Sequence, residues 1–176
     1  MKHVSAKAWL GLALVLVLAV AGTHAQSQEA DATSKAFIKT AIEGNNAEIE
    51  LGKLAASKAQ SAAVKQFGQA LAADHQKANE HAKAAAEAVG VKPPDARSVT
   101  IGTLVKLQAQ SGSAFDRSFI DAMISDHRKD ITTYQEQSAR NNAVGRYAKQ
   151  ALPSLQTHLQ EAERIQQQLT EVTGSK

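Results

Sequence analysis

The sequence predicts an all-α fold: a four-helix bundle of two antiparallel hairpins joined by a long connection that carries a short helix. Three observations predict it. From about residue 34 onward the chain is rich in Ala, Gln, Lys, Glu and Leu, its β-branched residues are scattered singly, and no alternating run offers a strand. Apolar residues recur at helical spacing in four long stretches. The breaks between the first and second stretches, and between the third and fourth, are short, which makes each pair antiparallel neighbours.

The N-terminus reads differently from the rest. Lys2 and Lys7 precede an apolar run from Trp9 to Ala21, followed by Gly22-Thr23-His24-Ala25, the layout of a secretory signal peptide cut after Ala25. The run is 13 residues long, short of the roughly 20 that a spanning helix needs. The expected organisation is therefore a signal peptide over 1–25, a mobile polar segment over 26–33, a bundle domain over 34–171 and a short tail over 172–176. An exported protein of the periplasm or cell envelope follows, with no spanning segment after cleavage.

Cleavage would remove Lys2 and Lys7 and no acid, so 20 basic residues become 18 against 17 acidic ones and the charge falls to +1. No block of Lys and Arg interleaved with aromatics remains, which excludes a nucleic-acid footprint of the usual kind. Cysteine is absent, excluding disulfides, thiolate metal sites, a Cys nucleophile and a lipid-anchoring Cys at the cleavage site. Nothing in the composition identifies a protein partner or a homo-oligomer.

Each helix has its own start and stop signals. Thr33 or Ser34 can cap a first helix running to about Lys58. A second begins at Ser61 and ends near Gly90, where glycine and the Pro93-Pro94 pair stop it. A short helix is expected from Val99 to Gln110, before Ser111-Gly112-Ser113. A third long helix spans about Ala114–Arg140 and a fourth about Asn142–Thr170. Pro153 inside the fourth predicts a kink or a break. The join between the hairpins is long enough to cross the length of a bundle, as in ferritin-like folds.

At about 100° per residue, one ionisable group of each long helix falls within its apolar arc. Glu48 sits among Phe37, Ile38, Ala41, Ile42, Ile49, Leu51 and Ala55, with Glu43 and Glu50 opposite. His75 is centred in the stripe of Val64, Gly68, Leu71, Ala82 and Val89. His127 lies among Ile120, Ile124, Ile131 and Tyr134, and His158 beside Leu155, Ala162 and Leu169. Counted from the nearest hairpin turn, near residue 60 or 141, Glu48 is 12 residues away, His75 15, His127 14 and His158 17. At 1.5 Å per residue all four are near mid-bundle.

One carboxylate and three imidazoles are a ligand set for a single divalent transition metal such as Zn, Fe, Mn or Cu. Asp74 and Asp126 point about 100° away from the histidines that follow them, and are candidate outer acceptors for imidazole N–H groups on adjacent helices. Two plainer readings stand beside this one. Buried neutral histidines bonded to one another or to Glu48 can fix bundle register without a metal. Asp74 with Lys77 and Asp126 with Lys129 are also ordinary i,i+3 pairs. No Gly-rich phosphate loop, Ser-His-Asp order or paired-carboxylate arrangement stands out, so no catalytic residue is assigned.

Two of these histidines belong to a repeat. FGQALAADHQK and FIDAMISDHRK share Phe-x3-(Leu or Met)-x2-Asp-His-x-Lys, matching Phe67, Leu71, Asp74, His75 and Lys77 to Phe119, Met123, Asp126, His127 and Lys129. A duplicated hairpin would pair the second helix with the fourth. These copies lie on the second and third, which reads as convergence on a shared interior requirement.

Four motifs in order, AEIELGKLA (47–55), DHQKAN (74–79), SGSAFDRSFIDAM followed by SDH (111–127) and LPSLQTHL (152–159), resemble an exported bacterial domain-of-unknown-function family grouped with ferritin-like folds. Its members are often labelled outer membrane proteins. The resemblance covers about residues 35–168 and implies a signal peptide, a ferritin-like four-helix bundle and an envelope or secreted location, but no reaction. The ferritin-like di-iron pattern places Glu on two helices and Glu-x-x-His on the other two. No Glu-x-x-His occurs here, which argues against di-iron oxygen chemistry, ferroxidase activity and iron storage. An outer-membrane barrel is also at odds with a chain that lacks alternating strands.

Three functions follow in order of fit. The first is an exported helical bundle that binds one transition metal at the Glu/His cluster, for metal handling or envelope stress protection. The second is a metal-free structural or partner-binding envelope protein. Last comes a metal-dependent oxidoreductase, disfavoured by the missing ligand pattern.

Overall fold

The computed structural model describes residues 10–95 and 101–174. Among them are five helices and no strand: α1 (Leu10–Lys58), α2 (Ala62–Ala88), α3 (Ile101–Gln108), α4 (Gly112–Ser138) and α5 (Ala143–Gly174). The chain divides into two compact units, residues 1–34 and 35–176. The first nine residues of the expected signal peptide lie outside the described residues, as do Val99 and Thr100 at the start of the expected short helix.

Two boundaries differ from expectation. The first helix does not start at Thr33 or Ser34 but at Leu10, because residues 26–33 hold neither Gly nor Pro and nothing there interrupts a helix formed on both sides. The expected break at Pro153 is absent, since α5 runs through it. Pro153 and Lys149, whose carbonyl loses its helical partner, are both exposed residues, so the lost bond falls on the solvent side of the helix and not in the core. Buried Ala148 and Leu155 hold the helix on either side.

Other ends follow the local chemistry. Gly90, at φ +70°, ends α2: its N–H reaches the Glu87 carbonyl at 3.0 Å and that of Val91 reaches Ala86 at 2.8 Å. This is the Schellman pattern that a left-handed glycine permits. Ser61 precedes α2 without a side-chain cap, and a distant carboxylate does that work. Buried Asp116 of α4 accepts from the Gln60 and Ser61 N–H groups at 3.0 and 2.8 Å. At the head of α5 the Asn142 side chain accepts from Gly145 N–H at 2.9 Å.

Two apolar clusters make the core of residues 35–176. One gathers Leu51, Ala55, Val64, Phe67, Leu71, Leu107, Phe115, Phe119, Met123 and Ile165. The other gathers Phe37, Ile38, Ile42, Ala82, Val91, Tyr134, Val144, Tyr147 and Leu155. Each fully buried large side chain contributes about 1.5–3 kcal/mol relative to exposure. Following each helix from one cluster to the other gives its direction: α2 and α4 run from the first to the second, and α1 and α5 run the opposite way. The join after α2 puts Val91 in the second cluster and Leu107 in the first. Lys58, the last residue of α1, donates to the Gln108 carbonyl at the end of α3.

Close packing of α1 on α2 is set by glycine. A Cβ on Gly52 would lie 2.6 Å from the Gly68 carbonyl oxygen, and one on Gly68 would lie 2.7 Å from that of Gly52. Backbones at that separation allow short polar side chains to meet across the pair, as Asn79 Nδ2 and Asn46 Oδ1 do at 2.7 Å. Among the described residues no helix is long and apolar enough to cross a membrane.

Candidate metal centre

The gap between the two apolar clusters is polar on every long helix. On α1 it holds Asn45 and Glu48, on α2 His75 and Asn79, on α4 His127 and on α5 His158, all buried. The three histidines meet there. His75, His127 and His158 each offer a ring nitrogen, and these nitrogens lie within 4.8 Å of one another. Their ring centroids are 5.4–5.9 Å apart, and all three residues are buried.

The protons of these rings can be assigned from their outer partners. His127 Nδ1 lies 2.9 Å from the Met123 carbonyl, which can only accept, so that nitrogen carries the hydrogen. His158 Nε2 lies 3.2 Å from Asp74 Oδ2 and donates to it. His75 Nδ1 lies 2.9 Å from Asn45 Oδ1; the Asn45 amide nitrogen donates to the Tyr147 hydroxyl at 3.1 Å, which turns its oxygen toward His75. Each neutral ring has therefore placed its one N–H on an outward acceptor. The inward nitrogens, His75 Nε2, His127 Nε2 and His158 Nδ1, carry lone pairs.

Two features follow from this arrangement. His75 Nε2 is buried with no hydrogen-bond partner, and with both outward hydrogens in place His127 Nε2 and His158 Nδ1 set two lone pairs against each other at 3.3 Å. Protonation is a poor remedy. Burial and then the neighbouring rings hold His75 well below the usual imidazole range, and burial followed by His158 lowers His127 to about 4, against the Met123 carbonyl that favours its charge. A cation accepts lone pairs where a proton is disfavoured. Around a tetrahedral ion with metal–nitrogen bonds of about 2.0–2.1 Å, neighbouring nitrogens sit about 3.3–3.4 Å apart, the spacing of the His127–His158 pair.

A family model for a domain of unknown function, DUF4142, matches residues 19–165. The chain belongs to the DUF4142 family. No curated protein and no solved structure matches it. The matched DUF4142 span takes in every residue of the polar layer.

In this DUF4142 chain the carboxylates named from sequence have separate places. Asp74 of α2 accepts from His158 of α5 and sits 3.8 Å from Lys77. Glu48 is buried but is not one of the converging group. Its Oε2 has no hydrogen-bond partner, and burial, then Asp126 and Asp130, push its pKa up to about 8. Asp126 is exposed and takes no part in the hydrogen bonds that hold the three rings; partial desolvation raises its pKa against the pull of Lys129. Asp130 is raised to about 6 by burial and then by Asp126.

Sequence reasoning missed Asn45 and Tyr147, which orient His75, and the Met123 carbonyl, which orients His127. A signal for Asn45 existed. It continues the inward spacing of Ile38, Ala41, Ile42 and Ile49 on α1. Tyr147 extends the layer further, its hydroxyl 3.1 Å from that of Tyr134, whose pKa burial drives well above the phenol range. The repeat has a spatial counterpart: Phe67 meets Phe119 edge-on at 6.2 Å and His75 meets His127 at 5.9 Å, so matched positions on the parallel helices α2 and α4 face each other.

Proposed function

We propose that this protein binds one divalent transition metal through His75, His127 and His158 inside a ferritin-like four-helix bundle, and that it serves metal handling or stress protection in the cell envelope. The carrying observation is the set of three inward lone pairs, each fixed by an outward hydrogen bond. Three neutral imidazoles favour zinc or copper over manganese. Asp74, bonded to His158, supplies nearby negative charge and raises that ligand's basicity.

The ferritin-like topology draws support from the join that leaves one apolar cluster at Val91 and arrives at the other at Leu107, which makes α2 and α4 parallel. Export draws support from the leader-like residues 1–25. Glu48 is not among the converging donors, so the proposed ligand set is the three histidines with Asp74 outside them.

Metal analysis of the purified protein beside a His75→Ala/His127→Ala variant tests the reading. One equivalent of zinc or copper in the wild type and none in the variant is the expected result. Absence from both after loading rejects it and leaves a metal-free helical scaffold whose histidines only fix register.

A further inference from the structure

Two cavities on the α2/α5 side of the histidines share a wall. The inner one, about 20 Å³, is bounded by His75 and His158. The outer one, about 130 Å³, reaches exposed Lys77, His81 and Gln150. Asp74, Ala78, Tyr147, Ala151 and Ser154 line both. Alanine at 78 on α2 and at 151 on α5 leaves open a seam that larger side chains would close. A space of about 20 Å³ holds a single water-sized species, so the throat passes an ion only after most of its hydration shell is gone.

Such an ion needs a replacement oxygen at the point where it sheds water. Asp74 stands there. Its side chain is 40% exposed, one oxygen contacts His158 Nε2 at 3.2 Å, and the other is 3.8 Å from Lys77, whose own side chain is 76% exposed. An ion pair held that loosely in water contributes little and opens readily. A competing cavity of about 180 Å³ between α1 and α4 carries Lys129 and Asp130 at its wall and touches His75 alone among the three histidines. The α2/α5 seam touches two of them, and its acid is bonded to one.

We propose that the α2/α5 seam is the access route for the divalent cation, with Asp74 as the residue that receives it at the throat and passes it to the histidines. The inference rests on the metal reading above. Cobalt(II), followed by its visible absorption in stopped flow with the full metal-free chain, separates the two. Ala151→Phe and Ser154→Phe should each slow association by about 10-fold or more, and dissociation in step, because filling a route changes rates and leaves the end states alone. Stoichiometry should remain one. Ser154 is exposed, so its variant keeps the test valid if Ala151→Phe fails to fold. Ala41→Phe, in the α1/α4 cavity, should stay within about 2-fold of the wild-type rate.

Wild-type rates in both seam variants, or slowing by Ala41→Phe instead, overturn the route while the metal reading stands. Loss of stoichiometric binding in folded Ser154→Phe also overturns it. A wild-type protein that takes up no cobalt, zinc or copper overturns both.

Discussion

His127 Nε2 and His158 Nδ1 stand 3.3 Å apart, while the hydrogen of each ring is committed outward, to the Met123 carbonyl and to Asp74. Two lone pairs at that distance repel, and the chain holds them there with hydrogen bonds from two different helices. Such an arrangement costs stability in the metal-free protein and repays it when a cation sits between them.

Acid should destabilise the metal-free fold. His127 is depressed to about 4 from an ordinary 6.5, so the unfolded chain takes up a proton first as pH falls. The stability this ring contributes is complete above about 6.5 and lost progressively down to about 4, with His75 adding in the same sense. At about 1.4 kcal/mol per pKa unit, His127 alone accounts for about 3 kcal/mol. Urea unfolding at pH 7 and pH 4.5 in a Glu48→Gln/Asp130→Asn background, where the two buried carboxyls that act in the opposite sense are gone, should show the drop. Equal midpoints would contradict it.

Glu48 should act in the other direction. Its folded pKa of about 8, against an ordinary 4.5, means the unfolded chain ionises first as pH rises. Stability is then lost from about 4.5 up to about 8. Asp130, raised to about 6, completes most of its share at lower pH. Between pH 6.5 and 8 the wild type should lose roughly 2 kcal/mol that Glu48→Gln retains. Parallel denaturation curves for the two proteins across that range would refute it.

Asn45 should govern metal affinity without touching the metal. Removing its oxygen in Asn45→Ala frees the His75 ring to rotate and to change tautomer, and outer partners of this kind are worth about 10–100-fold in affinity. Asn79→Ala, which breaks the neighbouring α1–α2 amide pair, should leave affinity within about 2-fold. Competition titration against a chromophoric chelator distinguishes the two variants; equal losses would mean that Asn45 acts only through packing.

Gly52→Ala should destabilise although alanine is the better helix former. The gain in propensity is about 1 kcal/mol. Against it stands a methyl placed 2.6 Å from the Gly68 carbonyl oxygen and 2.9 Å from the Ala72 nitrogen, where backbone cannot yield without prising α1 from α2, at about 1–3 kcal/mol or more. Thermal melts should show a lower midpoint, and a raised one would mean that the helices have room to part.

The helices and their inward faces were legible because burial follows the 3.6-residue period directly: Phe37, Ile38, Ile42, Leu71, Ile120 and Leu155 are all buried as their spacing requires. The three histidines stood out for the same reason, as polar groups inside apolar arcs. Glu48 satisfied the same angular test and is buried, yet its carboxyl is not among the atoms that converge. Helical angle fixes a direction, whereas the length and torsions of a glutamate side chain decide where its oxygens end. Asp116 escaped notice because its partners, the N–H groups of Gln60 and Ser61, are backbone atoms that carry no side-chain signature. At Pro153 the helix does not break, because one lost hydrogen bond on an exposed face is outweighed by the packing of α5 on either side.

The three rings come from α2, α4 and α5, that is, one from the earlier hairpin and two from the later. Neither half of the chain owns a complete set of donors. An ion seated among them would act as a clasp across the docking plane, and pulling the hairpins apart would break one ligand bond out of three before either helical pair had to melt. Loss of the ion would therefore report separation of the halves, ahead of any loss of helicity.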